Sequence, residues 1–309
     1  MFNLLDFKSN IQPSWRGGVL PPDSLSGRKD ILVLICSAQL EVQKAASRQL
    51  ENLGLDFLTI EEYIFAKRKD KILKCVELLE DEKDKEIYTE IVESRITYRL
   101  PKSNFISRDQ YFILPEFRAV SKKEVFVDCG AFVGDSVEKY IFAHDGTFGK
   151  IIAFEPDIIN YRAMQVHIER LNREWALPED KIQIVNAGVG SKTTTGILTQ
   201  QARTSSAISE MYKKENLDSV VKIYSLDDFF ADQRIDFLKA DIESFELEML
   251  QGAEKIIRRD LPKIAICIYH SSSDIYQIIL WLANLDLGYK FSVRYYRWGY
   301  LETVLYAYH

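Results

Sequence analysis

What this chain lacks narrows its possible functions first. Its 309 residues include only four cysteines, Cys36, Cys75, Cys129 and Cys267, with no CxxC pair among them. That points to buried free thiols in a reducing cytosol. No apolar run approaches the roughly 20 residues needed to cross a bilayer. The opening "MFNLLDFKSNIQPSW" has neither the basic start nor the unbroken apolar core of a signal peptide. A cytoplasmic protein without membrane insertion is therefore expected. There is no basic excess either: the formal charge is −6, which argues against a nucleic-acid partner, because phosphate binding calls for clustered positive charge. Internal repeats and low-complexity tracts are absent.

What is present is the composition of a globular protein, with 47% hydrophobic and 28% charged residues. Residues 11–29 collect proline, glycine and serine and read as irregular lead-in. "ILVLIC", a helical stretch ending near Gly54, and "LDFLTI" make a strand–helix–strand unit. Residues 61–97 are charge-rich and helical in period, with "KRKDK" as a solvated face. The pattern breaks between Pro101 and Ser121, so the spacing divides the chain into an α/β accessory domain, 1–120, and a main domain, 121–309. In the main domain strands at 125–129, 151–155, 182–186, 221–225, 236–240 and 263–269 alternate with helices near 135–143, 158–173, 244–258 and 273–286. "YKFSVRYYR" and "TVLYAYH" close it as a hairpin. Alternation of this kind predicts an α/β fold, a doubly wound and mostly parallel sheet with an antiparallel C-terminal edge strand.

In such sheets ligands bind beyond the carboxyl ends of the strands, and five strand ends carry candidates. The first is "VFVDCGAFVGDS": Asp128 ends a buried strand, and Gly130, Ala131, Phe132, Gly134, Asp135 and Ser136 form the turn into the next helix, with Asp135 or Ser136 as its cap. The spacing is not GxGxxG, and carboxylates beside a pyrophosphate would repel it. Beside a sulfonium and an amino group they attract, which favours S-adenosylmethionine over NAD. The second end, "AFEPD", places Glu155 and Pro156 where a carboxylate can accept hydrogen bonds from two ribose hydroxyls. The third, "VNAGVG", offers Ala187 and other small residues to lie along an adenine. The fourth, "KADIESFELE", gathers Asp241, Glu243 and Glu246, and the fifth strand delivers His270 beside them as a base or metal ligand, with Asp274 to orient it or to cap the next helix. This cluster permits a divalent metal without requiring one.

Taken together and in order, "VFVDCGAFVGDS", "AFEPD", "LKADIESFELEMLQGA", "IYHSSSDI" and "ETVLYAY" resemble the FkbM-type family of S-adenosylmethionine-dependent methyltransferases over residues 121–309. The resemblance implies a seven-stranded methyltransferase sheet, cofactor contacts by Asp128, Gly130, Gly134 and Glu155, and acceptor-side roles for Asp241, Glu243, Glu246 and His270. It also implies O-methylation of a small-molecule or glycan hydroxyl, as in polysaccharide biosynthesis. Ser244 departs from it, standing where the family usually carries glycine. The competing classes are a nucleoside-binding protein without catalysis and an NAD-dependent oxidoreductase. A homo-oligomer is compatible with all three. Arg294, Tyr295, Tyr296, Arg297, Trp298 and Tyr300, around the terminal hairpin, are expected to border the acceptor.

Overall fold

The computed structural model of the chain describes residues 3–4, 21–37, 40–97, 101–202, 205–209, 220–297 and 302–309. Three strands, β1 (Asn3–Leu4), β2 (Leu32–Ile35) and β3 (Asp56–Thr59), form a small parallel sheet in the order β1-β2-β3, with α1 (Leu40–Asn52) joining the last two. Val33, Ile35, Leu50 and Leu55 give this unit a core of its own. Thr59 ends β3 and caps α2 (Ile60–Lys67) through a capping box with Glu62, which fixes the change from strand to helix. Helices α3 (Lys69–Leu78) and α4 (Glu82–Thr97) follow. The basic run 67–71 is exposed, as its charge pattern predicts. Ile72, Cys75, Ile87 and Tyr88 pack into one apolar cluster with the helices of the large sheet.

That sheet contains β4 (Val125–Cys129), β5 (Lys150–Phe154), β6 (Ile182–Val185), β11 (Phe237–Ala240), β12 (Lys263–Cys267), β13 (Lys290–Tyr295) and β14 (Thr303–Tyr308), in the order β13-β14-β12-β11-β4-β5-β6. β4, β5, β11 and β12 are buried almost throughout, which is why they read as continuous apolar runs rather than alternating ones. β14 runs antiparallel to both β12 and β13 and slots between them. Helices α5 (Asp135–Ala143) and α6 (Ile158–Glu174) pack on the face that carries Phe126 and Ile151. The opposite face, with Val127 and Ile152, takes α10 (Asp274–Asn284) and the segment 246–260. Strand reversal at β4 and β11 leaves a crevice above their carboxyl ends.

Two expectations need correction. The strand expected at 221–225 is β10 (Val220–Tyr224), and it leaves the large sheet. It joins β7 (Gly188–Val189), β8 (Thr194–Ala202) and β9 (Ser205–Ser209) in a four-stranded side sheet, parallel to β7 and antiparallel to β8. The helix expected over 244–258 is two, α8 (Glu246–Gln251) and α9 (Glu254–Asp260), with the four-residue α7 (Leu226–Phe229) beside the second. The break falls at Gly252, where an added Cβ would sit 2.1 Å from the carbonyl oxygen of Gly190. Close backbone approach there leaves room for glycine alone. The cysteines are all free; Cys75, Cys129 and Cys267 are buried and Cys36 is exposed. Among the described residues no helix is long and apolar enough to cross a membrane.

Candidate active site

The crevice holds a cavity of about 540 Å³. Its floor is a buried ion pair that the sequence reading missed. Lys239 stands in register with Asp128 on the neighbouring strand, and its Nζ lies 2.8 Å from that carboxylate and donates to the Gly130 carbonyl at 2.8 Å. Ser136 donates its hydroxyl to the same Asp128. Asp128 is thus fully engaged within the protein and does not line the cavity, whereas Lys239 does. A lysine inside the apolar run "FLKA" was the available signal, because a buried charge must find a partner.

Gly130, Phe132, Asp135 and Ser136 line the cavity; Ala131 and Gly134 do not. Gly130 has φ +81, and a Cβ there would fall 1.9 Å from the Asp241 carbonyl oxygen. Its glycine therefore serves the approach of β4's loop to the end of β11. Neither Asp135 nor Ser136 caps α5: Gly134, at φ +88, occupies the N-cap position with no side-chain cap. Asp135 instead faces Lys139 at 3.2 Å.

At the end of β5, Glu155 is buried and aligned by two backbone donors, Phe132 N–H to Oε2 and Asp157 N–H to Oε1, both at 2.9 Å. Each oxygen has acceptor capacity beyond its backbone donor, and Glu155 lines the cavity beside Asn160. Burial, opposed by those donors, pushes its carboxyl up to about 7. Pro156, Ala187, Gly188 and Val189 continue the same wall.

The ends of β11 and β12 bring Asp241, Glu243, Glu246 and His270 together, as the sequence predicts. His270 Nδ1 lies 2.9 Å from Glu246, and Nε2 lies 3.3 Å from Asp241 and 3.7 Å from Glu243. Burial favours the neutral ring, but the flanking carboxylates outweigh it and push His270 up to about 11. Burial likewise opposes ionisation of Asp241, and His270, Lys239 and Tyr111 together hold it well below the usual carboxylate range. Asp241 and Glu243 line the cavity; Glu246 and His270 stand behind them, and Glu246 accepts from Ile242 N–H at 2.9 Å. Asp274 accepts from Ser271 N–H at 2.8 Å and closes the turn before α10.

Glu243 and Ser244 take φ of +56 and +78. A left-handed turn is what glycine forms without strain, so the serine builds the turn at a conformational cost and the cluster still assembles. Tyr111 is the second residue missed. It comes from the irregular stretch 101–121, is fully buried, and donates its hydroxyl to Asp241 Oδ2 at 2.9 Å. Its signal is long-range: nothing local marks it.

Asp241, Glu246 and His270 each bring one donor atom within 4.8 Å of the others, a set that could hold a metal ion. They also compensate one another without one, as an imidazolium flanked by carboxylates. Around the hairpin, Arg294 is withdrawn from the acceptor side by an ion pair with buried Asp84 of α4. Tyr295 is a core residue donating to the Lys102 carbonyl at 2.5 Å, and Arg297 reaches the cavity. Trp298 and Tyr300 lie outside the described residues.

Residues 128–291 match the family described as "Methyltransferase FkbM domain". This chain belongs to the FkbM methyltransferase family. The FkbM methyltransferase from Methylobacillus flagellatus KT superposes with a TM-score of 0.65 at 19% identity, over 93% of this chain and 76% of that one. An rRNA methylase from Streptococcus thermophilus overlaps less, with a TM-score of 0.38 at 14% identity over 61% and 89% of the two chains. No curated protein matches the sequence. FkbM membership makes this chain a methyltransferase and agrees with the seven-stranded, mostly parallel sheet.

Proposed function

We propose that this FkbM methyltransferase transfers a methyl group from S-adenosylmethionine to a hydroxyl of a sugar, glycan or related metabolite. The observation that carries the reading is the charge of the cavity: Asp135, Glu155, Asp241, Glu243 and Glu302 line it against three cations, and one of those, Lys239, is neutralised by Asp128. An acidic chamber at a switch point suits a cationic nucleoside and repels a dinucleotide's pyrophosphate. The residues fit that donor. Glu155's spare acceptor capacity suits the ribose diol, Ala187 to Val189 suit an adenine edge, and Asp135 and Asp241 suit the amino and sulfonium charges.

When bound, the donor supplies an electrophilic methyl carbon on sulfur. The protein's part is to align the acceptor oxygen with it and to take the hydroxyl proton, and alignment supplies much of the acceleration. Asp241 is already held by Tyr111 and faces His270, and Glu246 is buried behind it. Glu243 remains as the cluster's carboxylate facing the cavity, and it is the group to receive the proton. His270 then acts as a fixed positive charge that orients both acids. Tyr111 and Asp241 set the wall against which the acceptor hydroxyl lies.

The test is formation of S-adenosylhomocysteine from S-adenosylmethionine in the presence of hydroxyl-bearing acceptors. Wild-type protein should turn over. Glu243→Gln, at an only half-buried position, should fold, bind the donor normally and lose most of kcat. Unchanged kcat in that variant would remove Glu243 from the proton's path.

A further inference from the structure

A second cavity, of about 620 Å³, opens beside the first, and Gln110, Lys139 and Arg297 line both. Its lining carries more cations than acids. Four cations, Arg108, Arg118, Lys139 and Arg297, line it against Asp109 and Glu138, in a chain whose net charge is −6. Glu138 is already taken by His167 at 3.1 Å and Arg170 at 2.7 Å. Asp109 stands 3.7 Å from Arg118, while Lys139 and Arg297 reach Asp135 at 3.2 Å and Glu302 at 3.3 Å on the first cavity's side. Arg108 is exposed and has no ion-pair partner among the described residues.

The shared wall has two further peculiarities. Gln110 sits between Asp109 and Tyr111, at φ +57 and +72, a strained placement for two non-glycine residues. Its side-chain Nε2 is buried with no hydrogen-bond partner among the described residues. Phe112, Phe142 and Tyr296 add ring surface to the second cavity, and Phe142 is 59% exposed. Unpaired guanidinium, an unsatisfied amide donor and ring faces together describe a site for an oxyanion carried on a flat or cyclic body.

We propose that the second cavity binds the phosphate or diphosphate of a phosphorylated acceptor, such as an activated sugar, whose hydroxyl then reaches the first cavity past Gln110. This rests on the methyl-transfer reading of the first cavity and adds the acceptor's class to it. A neutral sugar would leave Arg108 and the Gln110 amide without partners.

The experiment is calorimetric titration of the full chain with inorganic pyrophosphate and, separately, with S-adenosylmethionine, for wild type and for the R108Q/R118Q double variant. Both arginines are exposed, so the variant should fold, and its donor affinity checks that it has. Pyrophosphate should bind wild type, weaken at least about tenfold in the variant and weaken with added salt, while donor affinity stays unchanged. In transfer assays a sugar 1-phosphate or nucleoside diphosphate sugar should show kcat/KM at least about tenfold above the free sugar. If the donor binds and pyrophosphate does not, or if free and phosphorylated sugars react alike, the phosphate subsite is overturned and the methyl-transfer reading stands. If pyrophosphate binds and the donor does not, the acceptor role is overturned together with that reading.

Discussion

Replacing Glu155 by glutamine should abolish a pH dependence as well as weaken donor binding. The Glu155 carboxylate accepts two backbone N–H groups at 2.9 Å, and burial, working against those donors, raises its carboxyl to about 7. Ribose hydroxyls donate more strongly to the ionised form, in which both oxygens accept, so binding favours loss of the proton. The sign follows: affinity rises as pH climbs through about 7 and levels above it. At pH 6 about one molecule in ten is ionised, which makes binding weaker than at pH 8 by up to about tenfold. Glutamine presents an NH₂ group to one of the two backbone donors and leaves one acceptor. Losing a charged hydrogen bond costs about 1.5–3 kcal/mol, or about ten- to hundredfold in affinity. Calorimetry with S-adenosylmethionine from pH 5.5 to 8.5, in steps of about half a unit, measures both effects. The variant's own profile accounts for titration of the ligand's amino group. A wild-type profile parallel to the variant's, or a variant of unchanged affinity, refutes the ribose assignment.

Ser244→Gly should stabilise the protein by about 1 kcal/mol, because φ +78 is strained for serine and free for glycine; that is roughly 1–2 °C in Tm for a chain of this length, and an unchanged or lower Tm would contradict it. Lys239→Met strands the buried Asp128 charge and should destabilise by about 3–5 kcal/mol, with D128N/K239M recovering much of it; additive losses in denaturant melts would contradict the pairing. Because His270 already lies within 2.9–3.3 Å of both Glu246 and Asp241, dialysis against EDTA should leave methyl transfer unchanged. Loss of activity restored by magnesium would show instead that the three residues hold a metal.

How much of this was legible in the sequence depends on how local each signal is. β4, β5, β11 and β12 read correctly because buried parallel strands are continuous apolar runs, and the meeting of Asp241, Glu243, Glu246 and His270 followed from their places at the ends of adjacent strands. β10 looked the same as its neighbours, since an apolar run does not say which sheet it joins. The break between α8 and α9 falls at Gly252, which packs against the carbonyl of Gly190, far away in sequence. Asp84 diverts Arg294 across 210 residues, and Tyr111 reaches Asp241 from a segment with no periodicity. Gly130 reads as a turn residue in the sequence, and its close approach to the Asp241 carbonyl shows only in three dimensions.

The proposed methyl transfer runs from S-adenosylmethionine to a hydroxyl oxygen at the acidic cavity formed by β4, β5 and β11. Its most direct test uses trideuteromethyl-labelled S-adenosylmethionine, offered with a panel in which each sugar appears free, as its 1-phosphate and as its nucleoside diphosphate. Products are read by mass spectrometry and NMR. The account predicts a product carrying one labelled methyl group on oxygen, formed together with S-adenosylhomocysteine and lost in Glu155→Ala and Glu243→Gln. A label on nitrogen or carbon, or transfer that survives both substitutions, would contradict it.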